Sequence, residues 1–465
     1  MIPGGFFLYF PANHSLRRHS AGITILVPLL NKEIVFMTEI NPAPAKSNKF
    51  ALLMVFLVVF IDLLGFGIVL PLLPIYGDQY VARVLPEGSS SIFHGIILGL
   101  LMSSFSMMQF LFAPAWGRYS DFIGRKPILL LGLLGSIIFY TLFGYASTLP
   151  KESAHLALFL LFAARIGAGI CGATIGTAQA VIADCTSKEN RSRGMALIGA
   201  AFGIGFTFGP LVGFGALTFF PDQAGATGYI SAGLSLFAFI LGLVKMPETR
   251  VLGGHSANRK IFDVSAFKSV LSNPALGPII FVFFLATIGF GAFESTLAMI
   301  NQDVLKFGKT SNFLLFAYVG LTLSLANGLY RPLSRKFSVY FFLTLGILLM
   351  GTGVASLAGI TYISRNNILT DLLLPLMMVS LTISVVGFAF LTPSAQALVS
   401  QRADPERQGE ILGVNQSCSS LARIFGPIFG LTLYKIDSMA PFLFAGVLVL
   451  AMLPLVSRIR NFKEA

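Results

Sequence analysis

Long apolar runs separated by short polar segments dominate the hydrophobic pattern of this chain. Each run is about 18 to 28 residues long, and roughly 20 apolar residues in a helix cross a hydrocarbon core about 30 Å thick. Backbone groups in lipid must be satisfied within their own segment, so the runs are predicted to be helices. The predicted spans are residues 51–75, 92–115, 127–147, 155–182, 195–219, 227–245, 276–300, 312–329, 338–362, 370–395, 410–434 and 439–457.

The spans fall into two groups of six, separated by the longest polar connection. Ala-Gln-Ala at residues 178–180 recurs at 395–397, and Gly-Pro-x-x-Gly at 209–213 recurs at 426–430, both at an offset of 217 residues. This repetition predicts an all-α membrane protein of twelve transmembrane helices in two six-helix halves. Two repeats with a site between them are a transporter design. The predicted segments are a cytoplasmic extension (1–47), an N-terminal half (48–246), a cytoplasmic connection (247–275) and a C-terminal half (276–465).

The composition excludes a water-soluble domain. Hydrophobic residues make up 55% of the chain and charged residues 11%, whereas soluble domains average about 25% charged. The three cysteines, Cys171, Cys185 and Cys418, form no CxxC motif and favour neither a disulfide framework nor a zinc site. No cofactor, no metal and no enzymatic activity are predicted, because the five histidines do not cluster at depth and no HExxH, GxSxG or Walker pattern occurs.

The net charge of +12 is explained by membrane orientation. Of the 32 Lys and Arg residues, 24 lie in segments on the side of the N-terminus, 6 on the other side and 2 within spans. This asymmetry predicts that both termini are cytoplasmic, with the inner membrane of a bacterium as the favoured location. Nucleic-acid binding is not predicted, and a monomer in the bilayer is expected. Met37, which precedes a polar lead into the first span, is an alternative start to Met1.

Three motifs carry a resemblance to a known family. GRYSDFIGRKP lies between the second and third spans, GIGFTFGPLVG in the fifth and FIDLLGFGIVLPLLP in the first. They resemble the major facilitator superfamily, and within it the drug:proton antiporters similar to tetracycline exporters, over nearly all of residues 48–460. The first motif is predicted to be a tight loop that forms a conformational latch, with Asp184 as a second acid; the alternative is that its charges only anchor loops. The latch residues in the motif are Gly117, Asp121, Gly124, Arg125 and Lys126.

The motif in the fifth span resembles the antiporter motif of that family. It consists of Gly205, Gly209, Pro210 and Gly213. By resemblance it implies export rather than uptake. Physically, small residues let helices approach closely and proline bends a helix, so a plain close-packed kink is the alternative.

Two acids and one arginine stand out within the spans, where ionisable groups mark function by default. Helical rise places Asp62 about 18 Å from one face and Arg165 about 15 Å from the other. Spans one and four line the cavity in the family that the chain resembles, so Asp62 and Arg165 are predicted to be neighbours, either as a switchable acid or as a static ion pair. Glu294 lies in the outer third of the seventh span, where it could titrate from the aqueous face or extend to water.

Uncharged groups complete the predicted cavity. Gln179, Gln396 and Asn415 lie in spans four, ten and eleven, and phenylalanine is abundant at 45 residues. An apolar, aromatic site with few polar groups suits a flat amphiphilic molecule better than a sugar. The resemblance implies a proton-coupled exporter of a tetracycline-like or multidrug compound, with Asp62 as the main coupling acid. The alternative is a nutrient or metabolite symporter or uniporter of the same fold.

Overall fold

A computed structural model describes residues 49–187, 191–250, 264–404 and 407–461, and all regular structure in these ranges is helical. The predicted extension 1–47, Met37 within it and the centre of the predicted connection lie outside the described residues. The helices are α1 (Lys49–Val69), α2 (Leu73–Val84), α3 (Ser91–Ile123), α4 (Arg125–Thr148), α5 (Ala154–Cys171), α6 (Ile175–Cys185), α7 (Arg191–Phe219), α8 (Ala226–Lys245), α9 (Val264–Leu271), α10 (Gly277–Val304), α11 (Lys309–Leu333), α12 (Val339–Arg365), α13 (Leu373–Arg402), α14 (Gln408–Ile436), α15 (Ala440–Leu450) and α16 (Leu453–Asn461).

The helices confirm the predicted membrane protein of twelve spans. Eleven stretches of the described residues are long and apolar enough to cross a bilayer. The twelfth crossing is α14, whose 29 residues reach about 43 Å. It falls below the apolarity of the others because polar residues interrupt it, among them Asn415 and Arg423.

Three of the predicted spans are not single helices. The first runs from α1 into the start of α2, the fourth consists of α5 and α6, and the last of α15 and α16. Pro71 and Pro74 lie at the first break and Pro454 at the third, and proline lacks the N–H that continues a helix. The fourth span breaks at Gly172 without a proline.

The prediction of a loop between spans two and three was wrong, because helix covers almost all of the motif. Helix α3 continues through Gly117 and Asp121 to Ile123, and α4 begins at Arg125. Gly124 alone makes the turn, with a φ of 104° that favours glycine. We call the end of the bundle that carries Gly124 the motif face, and the opposite end, which carries α2, the distal face.

Helices of the two halves contact each other along two seams. In one seam α3 packs against α14, and in the other α7 packs against α11. Ser103 donates to the carbonyl of Ile424 at 2.6 Å, and a Cβ atom built on Gly213 would lie 2.3 Å from the ring of Phe313. These contacts lie in the distal parts of the helices, so the halves are closed at the distal face.

Candidate functional site

Asp62 lies at mid-depth in α1 and is hydrogen-bonded without a cation. The hydroxyl of Ser136 donates to its carboxylate at 2.9 Å, and the hydroxyl of Tyr140 donates to its backbone carbonyl at 3.3 Å. Both donors belong to α4 and are buried. No ion pair within 4.0 Å involves Asp62 in the part of the chain that the structure describes. An acid at this depth is therefore available to a proton.

Arg165 of α5 is buried on aromatic rings instead of on a carboxylate. Its guanidinium carbon lies 4.7 Å from the ring centroid of Phe105 and 5.5 Å from that of Phe66. One terminal nitrogen donates to the carbonyl of Met102 at 3.2 Å. Within the described ranges its Nε has no hydrogen-bond partner although it is buried. The guanidinium thus retains a free donor inside the membrane.

The structure shows no ion pair within 4.0 Å between the predicted neighbours Asp62 and Arg165, so the static ion pair is not formed in this conformation. Phe66 follows Asp62 by four residues, which puts it on the same face of α1 about one turn nearer the distal face. Arg165 contacts that ring, and cation–π contact with a desolvated guanidinium is worth about 2 kcal/mol or more. Helical rise measured from two ends is too coarse to resolve an offset of one turn, about 5.4 Å.

Glu294 has a basic neighbour that the sequence did not single out. It lies in α10, and Arg423 of α14 is close enough to interact with it electrostatically. Arg423 also donates to Ser419 at 3.2 Å. The two helices approach closely beside them, because a Cβ atom built on Gly426 would lie 3.0 Å from the Cα atom of Gly291. An acid and an arginine thus lie within the membrane in each half.

The three predicted amides differ in their surroundings. Gln179 of α6 and Gln396 of α13 are exposed, at equivalent positions of the two repeats. Asn415 of α14 is buried, and its side-chain oxygen has no hydrogen-bond partner among the described residues. Their role in a cavity stays a prediction.

The structure brings the predicted latch residues together at the motif face. Arg125, which is 6% exposed, contacts Asp121 at 2.8 Å and Asp184 at 3.2 Å. It also donates to Ser120 at 2.5 Å. Lys126 does not join the acids and instead donates to the carbonyl of Leu243 at 2.9 Å. One buried guanidinium therefore links α3, α4 and α6.

Sequence reasoning missed Glu248, which lies just beyond α8. Its carboxylate accepts the backbone N–H groups of Arg125 at 2.9 Å and Lys126 at 3.1 Å. A Cβ atom built on Gly124 would lie 2.3 Å from that carboxylate, so glycine is needed there for its space as well as for its φ. A carboxylate at the first turn of a helix stabilises the free N–H groups and the helix dipole. Glu248 thus ties the start of the connection between the halves to the latch.

The predicted antiporter motif lies at two interfaces. Cβ atoms built on Gly205 and Gly209 would lie 2.9 Å from side-chain or backbone atoms of α1, at Leu63 and Gly67. Pro210 remains inside α7. Gly213 contacts Phe313 of the other half, as described above. The close packing expected of these glycines is present, and it extends to the seam between the halves.

Charged residues join the halves at the distal face. Lys435 of α14 forms an ion pair with Asp78 of α2, and His94 of α3 contacts the same carboxylate oxygen at 2.8 Å. Lys309 of α11 lies over the ring of Tyr76 at 4.3 Å. Asp78 and Lys435 line a pocket of about 480 Å³, together with Tyr434 and residues of α10 and α12.

The chain has relatives among membrane transporters. The tetracycline resistance protein of class E from Escherichia coli is 29% identical over 82% of this chain and 87% of its own. Major facilitator superfamily domain-containing protein 10 from Mus musculus is 27% identical over 85% of this chain and 89% of its own. The crystal structure of the human organic anion transporter MFSD10 (TETRAN) superposes with a TM-score of 0.61 at 24% identity, over 88% of this chain and 99% of its own.

The sequence profile described as Major Facilitator Superfamily matches residues 55–427 and 368–464. These matches cover most of the chain and include both six-helix groups. This multi-pass integral membrane protein therefore belongs to the major facilitator superfamily of transporters.

Proposed function

We propose that this protein is a proton-coupled secondary transporter that exports a small amphiphilic compound, of tetracycline-like or multidrug type, by alternating access. The observation that carries the proposal is the environment of Asp62. Its carboxylate lies at mid-depth and is hydrogen-bonded by the neutral hydroxyl of Ser136. Charge in the bilayer interior costs at least about 2.5 kcal/mol, so an acid without a cation is neutralised by taking up a proton. Protonation of Asp62 is the coupling step.

In the proposed transport cycle, the space between the two halves opens to one face of the membrane at a time. The halves are closed at the distal face, and the bias of basic residues predicts that the motif face is cytoplasmic. Exposed Gln179 and Gln396 face the space between the halves, because an amide directed to lipid would lose its hydrogen bonds. Substrate enters from the cytoplasm and leaves at the distal face, where protons enter to reload Asp62.

Arg165 favours a second candidate substrate class. A buried guanidinium with a free Nε and two aromatic rings beside it can bind an anionic group on a flat molecule. A relative with a solved structure is described as an organic anion transporter, whereas the bacterial relatives are described as tetracycline resistance proteins. A nutrient or metabolite symporter or uniporter is the further alternative, and it differs in the direction of proton-linked flux.

Transport by purified protein in proteoliposomes tests the proposal. A pH probe records proton flux while tetracycline, a cationic dye, an organic anion dye and a sugar are supplied in separate arms. We expect accumulation of an amphiphile driven by a proton gradient, lost in Asp62→Asn while downhill exchange remains. Asp62→Asn vesicles that accumulate substrate as wild type does would place coupling elsewhere, with Glu294 as the next candidate.

A further inference from the structure

The break in the fourth span is held by two side chains of α3. Between α5 and α6 the helix is interrupted at residues 172–174. The side-chain amide of Gln109 donates to the carbonyl of Gly172 at 3.0 Å, and the indole N–H of Trp116 donates to the carbonyl of Ile170 at 2.6 Å. Carbonyls at membrane depth need such partners. Trp116 is the only tryptophan of the chain.

The break lies directly beside the coupling acid. A Cβ atom built on Gly172 would lie 3.7 Å from Oδ2 of Asp62. On its other side the break meets α4, where a Cβ atom built on Gly135 would lie 2.2 Å from that of Cys171. The next residue of α4 is Ser136, the donor to Asp62. A shift of the break therefore changes the surroundings of the carboxylate.

The same helix, α3, also forms the distal seam between the halves. Cβ atoms built on Gly95 and Gly99 would lie 2.4 Å and 2.5 Å from the Cα atoms of Thr432 and Ile428 in α14. From Gly95 to Trp116 the helix extends about 32 Å. One helix thus contacts the other half at its distal end and the neighbours of Asp62 nearer the motif face.

We propose that Gln109 and Trp116 are positioning residues that couple the state of Asp62 to closure at the distal face. The inference rests on the proposed role of Asp62. When Asp62 changes charge, the break beside it shifts, the two hydrogen bonds carry that shift to α3, and α3 moves against α14. In the reverse direction, opening of the seam withdraws α3 and repositions Gly172 beside the carboxylate. Coupling of this kind needs an element that both sites bias, and α3 meets that condition.

A double-mutant cycle at fixed pH tests the link. Purified protein without its native cysteines carries Thr432→Cys in the seam, and an impermeant maleimide measures how fast that position becomes accessible. Asp62→Asn mimics the protonated acid and is combined in turn with Gln109→Leu, which removes the amide donor, and Trp116→Phe, which removes the indole donor. Tyr119→Phe is the matched control, because Tyr119 is exposed on the same helix.

We expect Asp62→Asn to change the labelling rate by roughly fivefold or more. In the Gln109→Leu and Trp116→Phe backgrounds, Asp62→Asn should change the labelling rate by less than half as much. In the Tyr119→Phe background the full change should persist. A merely structural role of the two side chains would alter the starting rate but leave the effect of Asp62→Asn intact. An equal effect in all backgrounds, or no effect in any, overturns the inference. The proposed function fails separately, if Asp62→Asn vesicles still accumulate substrate.

Discussion

Asp78 of α2 and Lys435 of α14 form an ion pair that bridges the two halves at the distal face. Burial alone raises the pKa of Asp78, but the hydrogen bond from His94 and the charge of Lys435 outweigh it and lower that pKa below its usual value. The carboxylate contributes to closure above the usual pKa of about 3.9, and this contribution is lost as the pH falls through the lowered value. Asp78 therefore stays charged throughout the physiological range.

The first prediction concerns this pair. Asp78→Asn should speed maleimide labelling of the Thr432→Cys position by about 1.5- to 5-fold, because a partly exposed ion pair contributes about 0.2–1 kcal/mol. The increase should be present at neutral pH, where the Asp78 carboxylate is charged. Asp437→Asn is the control, because Asp437 and Arg365, 2.9 Å apart at the same face, both belong to the C-terminal half. Equal rates in wild type and Asp78→Asn would remove the pair from the closure.

The second prediction concerns the carboxylate that caps α4. Burial raises the pKa of Glu248, but the N–H groups of Arg250, Arg125, Lys126 and Thr249 outweigh it and lower that pKa. Glu248→Ala should destabilise the protein by about 0.5–2 kcal/mol, as expected for the loss of a helix cap. The difference in apparent unfolding temperature should be present at neutral pH, where the carboxylate is charged, and should shrink as the pH falls through the lowered pKa.

The control for this cap is Glu152→Ala, which removes an exposed acid at the distal face. It should leave the unfolding temperature close to that of wild type. A Glu248→Ala protein as stable as wild type at neutral pH would show that the capping hydrogen bonds add nothing beyond their exchange with water.

The third prediction concerns orientation. Ser272 is exposed beside α9 at the motif face, and Gly88 is exposed in the segment between α2 and α3 at the distal face. A cysteine at residue 88 should react with an impermeant reagent in intact cells, and a cysteine at residue 272 should react only after the membrane is opened. The reverse pattern would overturn the orientation that the basic residues predict and, with it, the direction of export.

Sequence fixes more of the fold than of the site, and the reason is the range of the interactions. The bilayer imposes a length and an apolarity on every span, so twelve runs can be counted residue by residue. The contact of Arg125 with Asp121 is predictable because four residues separate them on consecutive helices. The repeat at an offset of 217 residues can likewise be recognised from the residue types alone.

Contacts between side chains and backbone groups far away in the chain could not be predicted from the sequence. Glu248 caps a helix that begins 123 residues earlier, and Trp116 donates to a carbonyl 54 residues later. Neither bond requires a complementary residue type at its other end, because every residue offers a carbonyl and almost every one an N–H. The single tryptophan, one residue beyond the predicted second span, is the one hint in the sequence, since its N–H needs a partner when buried.

The last prediction tests whether the guanidinium of Arg165 is stabilised by the rings of Phe66 and Phe105 or by the carboxylate of Asp62. In the distally closed conformation its guanidinium lies over Phe105 and Phe66, and no ion pair within 4.0 Å joins it to Asp62. Arg165→Gln combined with Phe105→Leu should therefore show a coupling energy of about 0.5–2 kcal/mol in unfolding of the purified protein. Arg165→Gln combined with Asp62→Asn should show a smaller coupling energy, because no ion pair within 4.0 Å joins the two side chains. A larger coupling between Asp62 and Arg165 would mean that the two pair in a conformation that the protein populates in solution, and the carboxylate would then exchange Ser136 for the arginine during the cycle.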